Sequence, residues 1–368
     1  MSKTVTIDAR WLVGGIGTYT RNLLQEFYRH QNGFVVQAIV RRQDSSMVRA
    51  FCSDVTIVDE PIYTLREQIL VPRASRHSDL LHVPHFNAPL LHRGPLIVSI
   101  MDVIHLRSDA YRRNLSTLVY ARPMLHAVAR KADHIITVSA FSKKEIVDVL
   151  QVPPSKITVI PCGVSEEFTS RPVVPKLLDV ARVVGVRPPF LLYVGNLKPH
   201  KNVSTLLRAF AKLRLANKIC HSLLIVGDDP RWKHELVEQC ITLGIRDRAV
   251  FVPHVSQSLL PSVYAAADMV VMPSTVEGFG LPVLESMASG TPVIASNAAS
   301  LPEVAGSAAL YFDPLDADEL AAQIDQLVHD SDLRLALRAK GLQRASLFTW
   351  EEAAHRHAET YSRLLGLD

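Results

Sequence analysis

Short apolar runs rich in Val and Ile recur along the first half of the chain, at residues 4–8, 35–40, 55–58, 97–100, 135–138 and 157–160, with helical patterns between them. Runs of this length suit strands covered on both faces, and their alternation with helices predicts parallel strands joined by crossover helices. The rhythm restarts at 190–194 and continues through 222–226, 250–252, 269–272, 292–294 and 309–312. The pattern predicts an α/β protein built from two doubly wound, Rossmann-like domains. Between the two series, residues 165–189 hold Pro172, Pro175, Pro188 and Pro189 and no clear strand, which places the join there. We expect an N-terminal domain over residues 1–170, a C-terminal domain over 185–345, and a terminal helix over 346–368 whose packing the pattern leaves open. Ligands of open α/β sheets bind beyond the carboxyl ends of the strands, so the two domains are expected to face a central cleft.

A length of 368 residues agrees with two cores. A composition of 48% hydrophobic, 21% charged and 7% aromatic residues excludes disordered and fibrous classes. The first ten residues lack a basic start followed by an apolar core, and no apolar run reaches the ~18 residues needed to span a bilayer. The expectation is a cytoplasmic protein, with any membrane contact peripheral and at the inner face. Cys52, Cys162, Cys220 and Cys240 are scattered without metal-like spacing, which fits reduced thiols.

Charge divides unevenly: residues 1–180 carry 22 Lys or Arg against 16 Asp or Glu, a balance of +6, whereas 181–368 carry 18 against 20, a balance of −2. Much of the excess is Arg41, Arg42, Arg49, Arg66, Arg73, Arg76, Arg107, Arg112 and Arg113. These suit either a solvated surface or a face toward anionic lipid or an anionic acceptor. Nucleic acid is not an expected partner, because aromatic residues are not interleaved with the cations.

The stretch Glu277-Gly-Phe-Gly-Leu-Pro-Val-Leu-Glu285 follows the apolar run 269–272 and opens a helical run over 282–288. Gly278 and Gly280 let the backbone approach a ligand, and Pro282 fits a first helical turn whose N–H groups suit an anion such as a diphosphate. Glu277 would reach that ligand from the loop. Glu285 lies about one turn into the helix, so the two carboxylates can serve different parts of one molecule; alternatively both are helix-start charges favoured by the dipole.

Two glutamates separated by seven residues around a glycine-rich loop resemble the donor site of glycosyltransferase family 4. The resemblance implies the GT-B fold, contact of Glu277 with the transferred sugar, and ribose hydroxyls held by Glu285. It also implies that the amides of Gly278, Phe279, Gly280 and Leu281 hold sugar and phosphate. The segment Gly195-Asn-Leu-Lys-Pro-His-Lys-Asn202 follows the run 190–194, where a lysine can neutralise phosphate. Lys201 is the candidate that stabilises the diphosphate leaving group, with Lys198 second. Asn196 joins the donor set at a position where many relatives carry Arg, and this variant resembles a branch rich in bacterial mannosyltransferases of O-antigen and exopolysaccharide synthesis.

Gly14-Gly-Ile-Gly-Thr-Tyr19, after the run 4–8, lacks the spacing of a dinucleotide fingerprint. In family 4 it resembles the N-domain loop that approaches donor sugar and phosphate, which makes Gly14 and Gly15 donor candidates; a plain tight turn is the alternative. At Ser99-Ile-Met-Asp-Val-Ile-His105 relatives commonly have a His-Asp pair where this chain has Met101-Asp102. Asp102 is a catalytic candidate, and Asp102 and His105 are acceptor-side candidates. Residues 292–314 also resemble the family, so the likeness runs from Gly14 to Pro314. The pairs Asp228-Asp229 and Asp316-Ala-Asp318 superficially match metal-holding motifs, yet the second precedes a helical run where aspartate is a good cap, and no catalytic metal is expected.

As a whole the resemblance implies a retaining transferase that moves a hexose, mannose from GDP-mannose by its branch, to a saccharide or lipid-linked saccharide acceptor in surface polysaccharide synthesis. The acceptor hydroxyl would attack the anomeric carbon on the face the diphosphate leaves, and a leaving-group oxygen would take its proton. No cofactor beyond the donor is implied. The competing readings are an inactive GT-B homologue acting as a binding protein, which Met101 and Asn196 favour, a sugar-nucleotide epimerase, and a nicotinamide oxidoreductase, which lacks its glycine fingerprint here.

Overall fold

The fold is that of a computed structural model in which residues 2–30, 33–107, 115–169, 180, 184–186 and 188–367 are described. Arg112, Arg113, Pro172 and Pro175 lie outside the described residues. Contacts divide the chain into one unit of Met1–Gly163 with Phe348–Asp368 and a second of Val164–Leu347.

Among the described residues the first unit carries seven strands: β1 (Lys3–Asp8), β2 (Phe34–Val40), β3 (Asp54–Ile57), β4 (Leu80–Val83), β5 (Leu96–Ser99), β6 (His134–Thr137) and β7 (Ile157–Val159). They lie in the order β3-β2-β1-β4-β5-β6-β7. The second unit carries six: β8 (Phe190–Val194), β9 (Ser222–Val226), β10 (Ala249–Val252), β11 (Met269–Met272), β12 (Val293–Ser296) and β13 (Ala309–Phe312), in the order β10-β9-β8-β11-β12-β13. Every pairing is parallel. Both sheets are doubly wound, with the order reversing between β1 and β4 and between β8 and β11.

Central strands such as β5 and β11 are buried at every position, as sheets covered on both faces require. Strand β4 was not expected. It is Leu-Leu-His-Val, buried throughout and paired with β1 and β5, and the histidine in a four-residue run conceals it from an apolar pattern.

That histidine explains where the terminal helix packs. Trp350–Leu365 belongs to the first unit and lies against the helix Gly14–Arg29. His357 Nδ1 faces the Ala353 carbonyl at 2.6 Å, so it carries the proton and donates. Its Nε2 then accepts from the Tyr19 hydroxyl at 2.5 Å, and the Tyr19 oxygen accepts from Ser99 at 3.0 Å. Ser99 accepts from His82 Nε2 at 2.8 Å, and His82 Nδ1 accepts from Tyr361 at 2.6 Å. One fixed carbonyl thus orients the whole chain of donors, which starts and ends on the terminal helix, and both imidazoles are neutral.

Burial lowers His82 well below the ordinary histidine range and His357 to about 4. Between that value and ~6.5 the unfolded chain binds more protons than the folded one, so the stabilising contribution is present above ~6.5 and is lost as the pH falls. Acidification from pH 7 to 5 is expected to cost the first unit about 2 kcal/mol through His357 alone. Urea unfolding at the two pH values measures this, and His357→Gln should flatten the dependence.

Candidate functional site

The second switch point lies between β8 and β11, and residues 195–202 leave the carboxyl end of one strand while 273–280 leave the other. Several bonds tie these loops together. Asn202, left-handed at φ 56°, donates from Nδ2 to the carbonyls of Pro273 at 2.9 Å and Pro314 at 2.7 Å, and its Oδ1 accepts from Thr205 at 2.8 Å. The Thr275 amide donates to the His200 carbonyl at 2.8 Å. Asparagine suits this place because its short amide tolerates the left-handed region and can bond to nearby backbone.

The tether delivers Lys201, the last residue of a 3-10 turn, to Glu277: Nζ lies 2.5 Å from Oε1, and Ser274 donates to the same oxygen at 2.8 Å. Glu277 is only 6% exposed, so the ion pair is poorly screened. The turn that follows is fixed from behind by the Ser300 hydroxyl, which bridges the carbonyls of Glu277 at 3.0 Å and Phe279 at 2.8 Å. Gly280 caps the helix Leu281–Ala288 at φ 106°, where a Cβ would come within 2.7 Å of the Leu301 side chain. Only glycine combines that conformation with that approach. Pro282 fits the first turn, where it has no N–H to leave unpaired, and the Val283 amide donates back to the Gly280 carbonyl at 2.9 Å.

Glu285 lies on the same helix, partly exposed, with Oε2 accepting from the Tyr264 hydroxyl at 2.7 Å. Burial pushes its carboxyl up to about 7, against the lowering effect of that hydrogen bond. Asn196 stands exposed at the end of β8, its Oδ1 accepting from the Lys198 amide at 3.2 Å. The turn beside it is crowded: a Cβ on Gly227 would sit 1.8 Å from the Gly195 carbonyl oxygen.

Of the two aspartate pairs, Asp316 and Asp318 are otherwise occupied. Asp316 Oδ1 accepts from the amides of Asp318 at 2.8 Å and Glu319 at 3.0 Å, capping the helix Ala317–His329, and Asp318 pairs with Lys212. Asp229 opens the helix Pro230–Thr242, and Asp228 lies 4.0 Å from Lys233 Nζ.

The remaining sequence candidates belong to the first unit. Gly14 and Gly15 are exposed at the start of the helix Gly14–Arg29, so this segment is a helix opening rather than a loop. Gly17 is required by packing, since a Cβ there would come 2.1 Å from the Leu12 carbonyl carbon. Asp102 Oδ1 accepts from the Ile104 amide at 3.0 Å, and Asp102 and His105 share a cavity of about 120 Å³ with Ser99, Met101, His85 and Phe86.

The motifs did not indicate several supporting residues: Tyr264, Ser274 and Ser300 in the second unit, and a buried group around Arg10 in the first. Arg10 pairs with Asp8 at 2.8 Å and with Glu67 at 3.0 Å at the β1/β4 switch point. The hydroxyl residues resemble many others along the chain, whereas the spacing of Arg10 two positions beyond a strand-end aspartate was a readable hint.

Two doubly wound parallel sheets, the second presenting a lysine–glutamate pair, a glycine turn and a helix start at its switch point, have the architecture of a GT-B glycosyltransferase. The chain belongs to glycosyltransferase family 4. Residues 13–168 match the model described as Glycosyltransferase Family 4, and residues 181–344 match Glycosyl transferases group 1. O-antigen chain mannosyltransferase B of Escherichia coli is 32% identical over 286 residues, covering 77% of this chain and 74% of that one. A D-inositol 3-phosphate glycosyltransferase of Stackebrandtia nassauensis is 33% identical over 242 residues, 62% of this chain and 53% of its own length. In fold, HepE of Anabaena in complex with UDP-glucose superposes with a TM-score of 0.80 at 19% identity, covering 98% of this chain and 99% of that one.

Proposed function

We propose that the protein is a retaining glycosyltransferase that moves mannose from GDP-mannose to a saccharide or lipid-linked saccharide acceptor of surface polysaccharide synthesis. The observation that carries this reading is the Lys201–Glu277 pair at the mouth of the second sheet. In the proposed reaction the bond from the anomeric carbon to the diphosphate breaks, and the departing phosphate gains charge beside Lys201 Nζ and the amides of Gly278 to Leu281. The acceptor oxygen bonds to the anomeric carbon on the same face and its proton passes to a phosphate oxygen. Glu277 accepts from a hydroxyl of the sugar, and Glu285 from the ribose. On the first unit, Gly14 and Gly15 offer amides to the donor phosphate, while Asp102 and His105 line the acceptor side. The mannose assignment is supported by the likeness to the O-antigen mannosyltransferase.

A thermal-shift screen against nucleoside diphosphate sugars tests it. GDP-mannose at 100 times its dissociation constant should stabilise the protein by ~2.7 kcal/mol. A larger shift with a uridine donor would overturn the mannose assignment, and donor binding without turnover would favour a binding-only homologue. Transfer is expected to survive a chelator; loss of activity restored by a divalent cation would refute the metal-free reaction.

Peripheral contact with anionic membrane at the inner face is part of the same reading. Among the described residues no helix is long and apolar enough to cross a membrane. Arg66, Ile69, Leu70 and Arg73 are exposed with helical spacing around Glu67–Ala74, which places cations and apolar groups on one face. Co-sedimentation should show binding to anionic vesicles that weakens as salt rises. Equal pelleting with neutral vesicles, or none with either, would sink this contact.

A further inference from the structure

A tyrosine at a protein surface ordinarily buries its ring and leaves its hydroxyl in water. Two tyrosines at the first switch point do the reverse. The Tyr120 hydroxyl donates inward to Asn87 Oδ1 at 2.7 Å, and the Tyr63 hydroxyl meets His85 Nε2 at 3.0 Å. Asn87 and His85 are both buried, yet Tyr63 is 44% exposed and Tyr120 36%. Because the Asn87 amide donates to His85 Nδ1 at 3.0 Å, His85 carries its proton on Nε2 and donates it to the Tyr63 oxygen. Both hydroxyls are thus engaged by buried partners while the side chains remain substantially exposed.

The rings form a connected group. Tyr63 and Tyr120 meet edge to face with centroids 6.0 Å apart, and Tyr63 also contacts His85 at 5.5 Å and Phe86 at 6.0 Å. Trp11, 37% exposed, joins the group through His85, their ring centroids 6.4 Å apart. The group is held rigidly from beneath. Glu67 accepts from the Tyr63 amide at 2.9 Å and from the Asn87 carboxamide, and its other oxygen accepts from Arg10. Tyr63 itself sits at φ 68°, a conformation a bulky residue holds only when its surroundings impose it. Backbone strain, buried charge and inward hydroxyls are all spent to hold aromatic faces at the surface beside the cavity of Asp102 and His105.

We infer that Trp11, Tyr63 and Tyr120 form a stacking platform for a pyranose ring of the acceptor, an inference that rests on the reading of the protein as a transferase to a saccharide. A sugar ring has one face of C–H groups and an edge of hydroxyls. The aromatic faces match the first, and Asp102 and His105 supply bonding partners for the second. Rings already locked in place lose little freedom when a sugar stacks on them, so the platform binds at low ordering cost.

The test is titration of the full chain with α-linked mannobiose, followed by saturation-transfer NMR, with GDP binding measured by calorimetry in parallel. Trp11→Ala and Tyr63→Asn should each weaken mannobiose at least about tenfold, while Trp11→Phe and Tyr63→Phe, which keep a ring, retain most of the affinity; asparagine is chosen at 63 because it tolerates the left-handed backbone. GDP affinity should be unchanged throughout. Folded Trp11→Ala and Tyr63→Asn variants that bind mannobiose like the wild type overturn the platform, as does a wild type that binds GDP but no mannobiose. Ring-dependent mannobiose binding without any GDP binding supports the platform and refutes the donor reading instead.

Discussion

Lys201→Ala is expected to lower turnover by about 10²–10³-fold, the range seen when one preorganised group is removed from a developing negative charge. The lysine has two tasks in the geometry. In the proposed reaction it meets the leaving diphosphate, and in the unliganded site it neutralises Glu277, whose other side-chain partner among the described residues is Ser274 at 2.8 Å. Removing the cation leaves a buried carboxylate with one hydroxyl donor, so the position of the group proposed to face the sugar is disturbed as well. Lys201→Arg should not restore the rate, since a planar fork does not replace a compact ammonium in a space where Nζ stands 2.5 Å from its partner. Steady-state rates, read beside the affinity for free nucleoside diphosphate, decide it. Turnover within twofold of wild type clears Lys201 of both tasks.

Donor affinity should also depend on pH through Glu285. With the carboxyl pushed up to about 7 by burial, most sites are protonated at pH 6 and ionised at pH 8. A protonated carboxyl accepts ribose hydroxyls poorly, so affinity for nucleoside diphosphate is expected to fall by about tenfold per pH unit below 7 and to level off above it. In the unliganded protein the sign is opposite. A carboxyl raised from its ordinary range favours folding at low pH, and that contribution is lost as the pH rises through 7, until a ligand's hydroxyls supply the missing bonds. Glu285→Gln should abolish the pH dependence and weaken binding by roughly 10–100-fold, the worth of about one charge-assisted bond of ~1.5–3 kcal/mol. Tyr264→Phe removes a hydroxyl that stabilises the carboxylate and should move the break to higher pH. Calorimetry across pH 5.5–8.5 reads all three, and a flat profile for the wild type would exclude ionisation of Glu285 as the determinant.

Most strands were legible because each is a short run rich in β-branched or other apolar residues between helical patterns, a signal local to the run itself. Strand β4 was not, because His82 is polar by type and buried only by virtue of partners far along the chain. The host of the terminal helix was illegible for the same reason: Tyr361 bonds His82 across 279 positions and His357 bonds Tyr19 across 338. At the candidate site, Glu277, Glu285 and Lys201 could be picked out because glycines and a strand-loop-helix order mark their surroundings. Ser300, which fixes the glycine turn through two carbonyls, carries no such mark. Hydroxyls become structural only where folding aims them.

Because the helix Trp350–Leu365 completes the first unit, that unit cannot finish folding until residues 350–365 have been made, after the whole of the second unit. At ~5–20 residues per second, translation of Val164–Leu347 takes on the order of ten seconds or more. Throughout that interval His82, Ser99 and Tyr19 wait beside strands already made, with part of their hydrogen bonding unfilled. A half-satisfied polar core is a poor resting state. The second unit, continuous in sequence, can fold as it emerges, so the order of maturation runs against the order of synthesis. Synthesis of that helix, not emergence of the strands, therefore sets when the first unit becomes native.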